Sequence, residues 1–107
     1  MRIKIPSDSQ EWVKGRVQGF SEKSLLELIQ GGIKMLKVAP SASYPPHQHR
    51  DKTEFIYILE GNMRITIGNN NIDGKKGDFF MIPMSSKHSI SNPFESESII
   101  LLGNITN

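Results

Sequence analysis

Turn signals punctuate this chain so closely that they leave room for little except short strands. Pro6-Ser7-Asp8, Gly31-Gly32, Pro45-Pro46, Gly61-Asn62, Gly68 to Asn71, Asp73-Gly74, Asn92-Pro93 and Gly103-Asn104 all join residues that favour tight turns. Between them lie runs rich in β-branched and aromatic residues: Phe55–Leu59, Met63–Ile67, Phe79–Ile82 and Ser98–Leu102. Within the second run Met63, Ile65 and Ile67 fall on one face, and Arg64 and Thr66 on the other. Short strands between closely spaced turns indicate an all-β sandwich or barrel. The aliphatic run Ile99-Ile100-Leu101-Leu102 reads as a fully buried strand. There is no internal repeat, linker or low-complexity tract.

One stretch argues for something else. Residues 21–31 offer a serine N-cap at Ser21, apolar residues at Leu25, Leu28 and Ile29, and a terminal Gly31. That is sound helix grammar. As a strand, the same stretch would pair across Gly31-Gly32 with Ile33 to Val38. Local propensity favours the helix.

The chemistry is concentrated in three histidines, the full complement of this chain. They stand as His47-Gln48-His49 and His88, with four residues between His49 and Glu54 and six between Glu54 and Gly61. Side chains two apart on a strand share a face, so His47 and His49 project together. Glu54 has the opposite parity, so Arg50-Asp51-Lys52-Thr53 reads as a hairpin loop that reverses it. A single histidine is ordinarily a hydrogen-bonded surface or core residue, but three at this spacing beside a carboxylate make a metal site the stronger reading. Three neutral imidazoles and one carboxylate suit one divalent Fe, Mn, Ni, Co, Cu or Zn ion.

The stretch from His47 to Gly61 resembles the first cupin motif, HxH, three or four residues, E, six residues, G. Gly77, Pro83, His88 and Asn92 resemble the second, G, five residues, PxG, two residues, H, three residues, N. Two positions depart from the pattern. Ser41 stands where a glycine is expected six residues before the first histidine, and Ser85 stands where one is expected two after the proline. A serine forced into left-handed angles there would cost on the order of 1 kcal/mol. The resemblance implies one domain over residues 1–107, with the motifs at about 41–61 and 77–92. It implies a small antiparallel two-sheet β-barrel of jelly-roll type, and it calls for a strand at 21–31, which decides that segment against the helix. His47, His49, Glu54 and His88 become the expected metal ligands. By alternation Ile56 and Ile58 would line the barrel on the face of Glu54, while Ile90 and Asn92 would share that of His88. Tyr44, Met35, Phe80 and Arg64 are candidates for the pocket mouth or wall, and Trp12 and Phe20 for a barrel end or subunit interface.

The family spans dioxygenases, sugar isomerases and epimerases, decarboxylases and non-catalytic ligand-binding modules, so the fold alone does not select an activity. A metal-dependent, oxygenase-like enzyme acting on a small polar molecule is the leading expectation. A non-catalytic metal-dependent ligand-binding or sensor module is the alternative, with a sugar isomerase or epimerase as a third reading. No arginine clamp or general base is visible beside the ligands. His47-Gln48-His49-Arg50-Asp51 also approaches the HxHxDH pattern of metallo-β-lactamase-like hydrolases, but Lys52 occupies the required histidine position and the chain is too short for that fold. A serine triad through Ser85 or Ser86 has no supporting context.

Composition closes off other classes. At 107 residues, 36% hydrophobic and 22% charged, this is an ordinary globular composition. A formal charge of +2, with Lys75-Lys76 the longest basic run, does not indicate nucleic acid or an acidic membrane as partner. No cysteine is present, so thiolate ligands, thiol nucleophiles and disulfides are excluded. The amino terminus lacks the apolar run of a signal peptide, and no apolar run spans a bilayer. These readings lead to a cytoplasmic protein that binds a small-molecule ligand or substrate. Small open barrels leave strand edges uncovered, and a homodimer is the expected assembly.

Overall fold

A computed structural model describes residues 3–106. A 3₁₀ turn at Ser7–Ser9 precedes nine strands: β1 (Val13–Lys14), β2 (Phe20–Leu28), β3 (Gly31–Val38), β4 (Lys52–Glu60), β5 (Asn62–Ile67), β6 (Asn70–Lys75), β7 (Phe79–Ile82), β8 (His88–Ser91) and β9 (Ser98–Thr106). Every pairing is antiparallel. Six strands form one sheet in the order β1-β2-β3-β9-β4-β7, and three form a second in the order β6-β5-β8. Isolated bridges Ser43↔Ser91 and His47↔His88 tie the β3–β4 connection to the small sheet. The hydrogen bonding does not run on into a closed barrel; the two sheets form an open jelly roll.

The core follows from alternation. On β4, Ile56 and Ile58 are fully buried while Tyr57 is exposed. They meet Leu36, Val38 and Ile100 from the same sheet and Met63, Ile65 and Ile90 from the other. Cutting a buried isoleucine such as Ile56 to alanine would cost roughly 2–5 kcal/mol through lost burial and the cavity left behind. Gly61 turns β4 into β5 at φ 79, and a Cβ there would meet Ser98 Oγ at 2.5 Å, so the last glycine of the first motif is needed for backbone shape and for space. Asn92 is buried and braces the end of β8: its amide donates to the carbonyls of Val38 and Ser96, and its side-chain oxygen accepts from the Phe94 amide.

Segment 21–31 is a strand followed by a turn, as the resemblance required, with a bulge between Ser24 and Leu26. Long-range pairing with β3 outweighs local helix propensity. The turn is displaced from its expected place: Ile29-Gln30 forms it, and Gly31 and Gly32 already pair with Leu28 and Glu27. Arg50 to Thr53 is not a hairpin loop. Only Arg50 and Asp51 bend, Lys52 and Thr53 belong to β4, and the chain there crosses from the small sheet to the large one. Three strands escaped the sequence reading: β1, which is only two residues long, β6 because Asn70, Asn71 and Asp73-Gly74 mimic turns, and β8 because it is short. Finally, Ile99–Leu102 is not fully buried: Ile100 is inside, whereas Ile99 and Leu101 lie half-buried on the outer face.

Candidate metal centre

Four side chains from three stretches of chain converge at one end of the core. His47 arrives on the bridge to His88, His49 two residues later, Glu54 on β4 and His88 at the start of β8. One ligand atom from each lies within 4.8 Å of all the others. Glu54 Oε1 is the meeting point, 2.7 Å from His88 Nε2, 3.5 Å from His49 Nε2 and 3.7 Å from His47 Nε2. The parity problem is solved by the Arg50-Asp51 bend, which lets β4 begin with Glu54 facing inward.

Hydrogen bonds fix which ring nitrogen faces the centre. His88 Nδ1 donates to the Ser86 carbonyl at 2.9 Å, and His47 Nδ1 to the Pro45 carbonyl at 3.1 Å. With Nδ1 carrying the proton, a neutral ring presents its Nε2 lone pair to the cluster. Ser85 steadies the HxH stretch: its amide donates to the His49 carbonyl at 2.7 Å, and its own carbonyl accepts from Gln48 Nε2 at 3.1 Å. Tyr44 packs edge-on against both Phe20 and His47, with ring centroids 5.4 and 5.3 Å away.

The donor set fits a cation. A ring lone pair and a carboxylate oxygen at 2.7 Å repel unless positive charge sits between them, and only a proton or a metal ion can supply it. Burial works against charge on Glu54, yet the hydrogen bond from His88 and the nearby imidazoles prevail and hold its carboxyl below the usual range. Burial likewise disfavours a charged His88, but the Glu54 hydrogen bond and the Ser86 carbonyl outweigh it and raise the imidazole above its ordinary value. Each partner is thus tuned to share a positive species. His47, His49 and His88 with Glu54 would present three nitrogens and one oxygen to a divalent transition ion.

A model of the Cupin domain family matches residues 34–102. The chain belongs to the cupin family. Among curated relatives, an uncharacterized protein of Methanocaldococcus jannaschii is 41% identical over 46 residues, covering 43% of this chain and 37% of its own length. Germin-like protein subfamily 2 member 3 of Arabidopsis thaliana is 33% identical over 83 residues, covering 71% of this chain and 37% of its own length. The chain therefore spans about a third of the length of these relatives. Among solved structures, a predicted oxalate decarboxylase of Thermotoga maritima superposes with a TM-score of 0.88 at 21% identity, covering 98% of this chain and 100% of that one. At that identity the likeness speaks to the fold.

The side chains of His47, His49, Glu54 and His88 all line an open pocket. It has a volume of about 640 Å³ and is lined by buried Ile56, Ile82 and Ile90 as well as by polar and charged side chains. The side chains of His47 and His49 remain 31% and 35% exposed within it. Ile56 lines the pocket and Ile58 lies deeper in the core, while Ile90 and Asn92 are buried on the His88 side, as alternation indicated. Of the other candidates, Tyr44 and Phe20 line the pocket. Met35 and Arg64 do not, since Met35 lies opposite Lys23 and Leu101 on the outer face and Arg64 pairs with Asp73 at 2.7 Å on the small sheet. Phe80 packs over Gly74 instead. Trp12 carries the ammonium groups of Lys23 and Lys37 over its ring at 4.5 and 4.7 Å. Sequence reasoning missed Arg16, Lys34, Lys52 and Asn104, all of which line the pocket. Lys52 shares the parity of Glu54 and was within reach of the alternation rule; Arg16, on a turn, carried no such signal.

Proposed function

We propose that this cupin is a metal-dependent enzyme acting on a small polar molecule, with His47, His49, Glu54 and His88 holding one divalent transition ion. The supporting observation is the placement of the ligand cluster in the lining of an open pocket rather than sealed beneath Ile56, Ile58 and Phe80. Four protein ligands on a six-coordinate ion would leave two positions for a substrate or second ligand, and His47 and His49 are partly exposed to the pocket. A bound ion of this kind supplies Lewis acidity and, for Fe, Mn, Ni, Co or Cu, redox capacity, which is the basis for preferring an oxygenase-like reaction. The chain's own contribution is to fix the Nε2 atoms, to keep Glu54 ionised and to seat a substrate on the apolar floor.

Elemental analysis of protein purified from its native host, followed by a substrate screen that records oxygen uptake, tests this reading. Stoichiometric metal with turnover supports it. Stoichiometric metal and ligand-induced spectral change without turnover would favour the non-catalytic module instead.

We also infer that two copies pair through the outer face of the large sheet. Phe79, Met81 and Ile105 are 61%, 59% and 53% exposed, and strand register places them beside Phe55, Tyr57 and Leu101 on that face. Phe55 and Phe79 stack at 6.0 Å between centroids, giving a flat aromatic surface. An apolar patch of this extent on an edge strand is ordinarily covered.

A further inference from the structure

The pocket lining carries more positive charge than its own acids can neutralise. Arg16, Lys34 and Lys52 face Glu22 and Glu54. Lys34 is committed to Glu22 at 2.8 Å, and Glu54 to the three histidines. Among the described residues no carboxylate lies within ion-pair distance of Arg16 or Lys52. A divalent ion on the histidine cluster would add further positive charge to the same space.

The backbone that carries Arg16 is held in place. It sits in the turn joining β1 and β2, which closes through the Gly15 amide to the Phe20 carbonyl at 2.8 Å and the Phe20 amide to the Val17 carbonyl at 3.1 Å. The turn is pinned to the body of the domain: Gly19, at φ 89, lies so close to Ala42 that a Cβ would fall 2.6 Å from the Ala42 Cβ, and its carbonyl accepts from the Ala39 amide at 2.8 Å. From this anchored turn the exposed Arg16 lines the pocket, and a guanidinium is a fork whose geometry matches a carboxylate bidentately. The same pocket is lined by Leu36, Ile56, Ile82, Ile90 and Leu102, an apolar wall beside which charge pairing is stronger than in bulk water.

We propose that this pocket selects a small ionised carboxylic acid, with Arg16 as the residue that recognises the carboxylate and Lys52 adding long-range attraction. The proposal rests on the metal-site reading above and names the substrate class for it. Arg16 acts as a specificity residue: it draws and orients the acid over the imidazoles.

Malonate and its neutral isostere malonamide are suitable probes, titrated calorimetrically into protein loaded with Co²⁺, with metal content measured for every variant. Malonate should bind at least tenfold more tightly than malonamide. Arg16→Gln should weaken malonate about tenfold or more, the effect of removing a charge-assisted hydrogen bond, without changing malonamide binding or metal content. Arg16→Lys should recover part of the loss. Lys14→Gln, which removes a charge from the same segment at an exposed position outside the pocket lining, should leave malonate affinity unaltered. Equal binding of malonate and malonamide, or an Arg16→Gln variant that binds malonate like the parent, would overturn the proposal while leaving the metal site standing. A parent protein that takes up no metal would overturn both.

Discussion

Ser41 and Ser85 take φ values of 70 and 64, the left-handed backbone in which an ordinary side chain crowds its own carbonyl. They stand at the two motif positions where cupins ordinarily carry glycine, so each serine keeps the geometry and bears its strain. Both conformations are enforced by tertiary bonds. The Ser41 amide donates to the Asn92 carbonyl at 2.7 Å, and the Ser85 amide to the His49 carbonyl at the same distance. Left-handed angles cost an L-residue about 1–2 kcal/mol, whereas glycine loses about 0.5–1 kcal/mol through the greater freedom of its unfolded chain. Ser41→Gly and Ser85→Gly should therefore each stabilise the fold by about 0.5–1 kcal/mol. The bridges Ser43↔Ser91 and His47↔His88 set the two sites near opposite ends of one paired stretch, roughly 20 Å apart at about 3.3 Å per residue. Their effects should add, to about 1–2 kcal/mol in the double variant. At about 4–8 °C per kcal/mol for a domain near this size, calorimetry should resolve a rise in Tm of 4 °C or more. Ser→Ala at either position keeps the Cβ and should gain nothing. The reasoning fails if either glycine variant is neutral or destabilised, since at an unstrained position glycine only lowers stability.

Further expectations follow from the metal centre and the sheet face. His47→Ala, His49→Ala, Glu54→Gln and His88→Ala should each abolish stoichiometric metal retention after dialysis, as read by elemental analysis; full retention in any one removes that residue from the ligand set. The metal-free protein should be most stable between about pH 4.5 and 6.5 in denaturant titrations. The lowered Glu54 pKa gives stability that is present above its unfolded value and lost as pH falls through the folded one, while the raised His88 pKa gives stability that is full below about 6.5 and lost as pH rises through the folded value. Metal uptake should run the opposite way, strengthening as pH rises past about 6.5 because His88 holds its proton more tightly than a free imidazole; an uptake curve flat from pH 5 to 8 would count against His88 as a ligand. Sedimentation should give twice the 12.0 kDa chain mass, with Phe79→Glu/Met81→Glu reverting to the single-chain mass, and a parent protein already at that mass would refute the pairing.

The cluster of His47, His49, Glu54 and His88 was legible in the sequence because its residue types are few and their spacing fits a metal-binding pattern, and this chain has no other histidines to confuse it. The strands around it were legible where alternation was strong, as at Met63-Ile65-Ile67 and Ile56-Ile58. Other parts were hidden for physical reasons. Residues 20–28 were read as strand only through the family resemblance, because the pairing with β3 that makes them one is a tertiary interaction that local propensity does not register. β6 was masked because an exposed edge strand tolerates asparagine, aspartate and glycine, the same residues that make turns. Half-burial of Ile99 and Leu101 escaped notice because an aliphatic run reads the same whether its second face meets the core or an uncovered surface.

Arg16 illustrates a different limit. Its position in the pocket depends on Gly19 resting on Ala42 and on two backbone bonds within a turn, none of which leaves a periodic trace. The sequence accordingly pointed to a metal site with no arginine clamp visible beside it. Across the inner face of the large sheet, apolar Val38, Ile100 and Ile58 give way to Lys34, Asn104, Lys52 and Glu54 toward the mouth. The strands thus divide their length between two tasks, packing at one end and ligand chemistry at the other. Substitutions at Ile58 or Ile100 should register in stability, while those at Arg16 or Lys52 should register in ligand affinity with stability little changed. That separation permits the rim to be altered without unfolding the centre it serves.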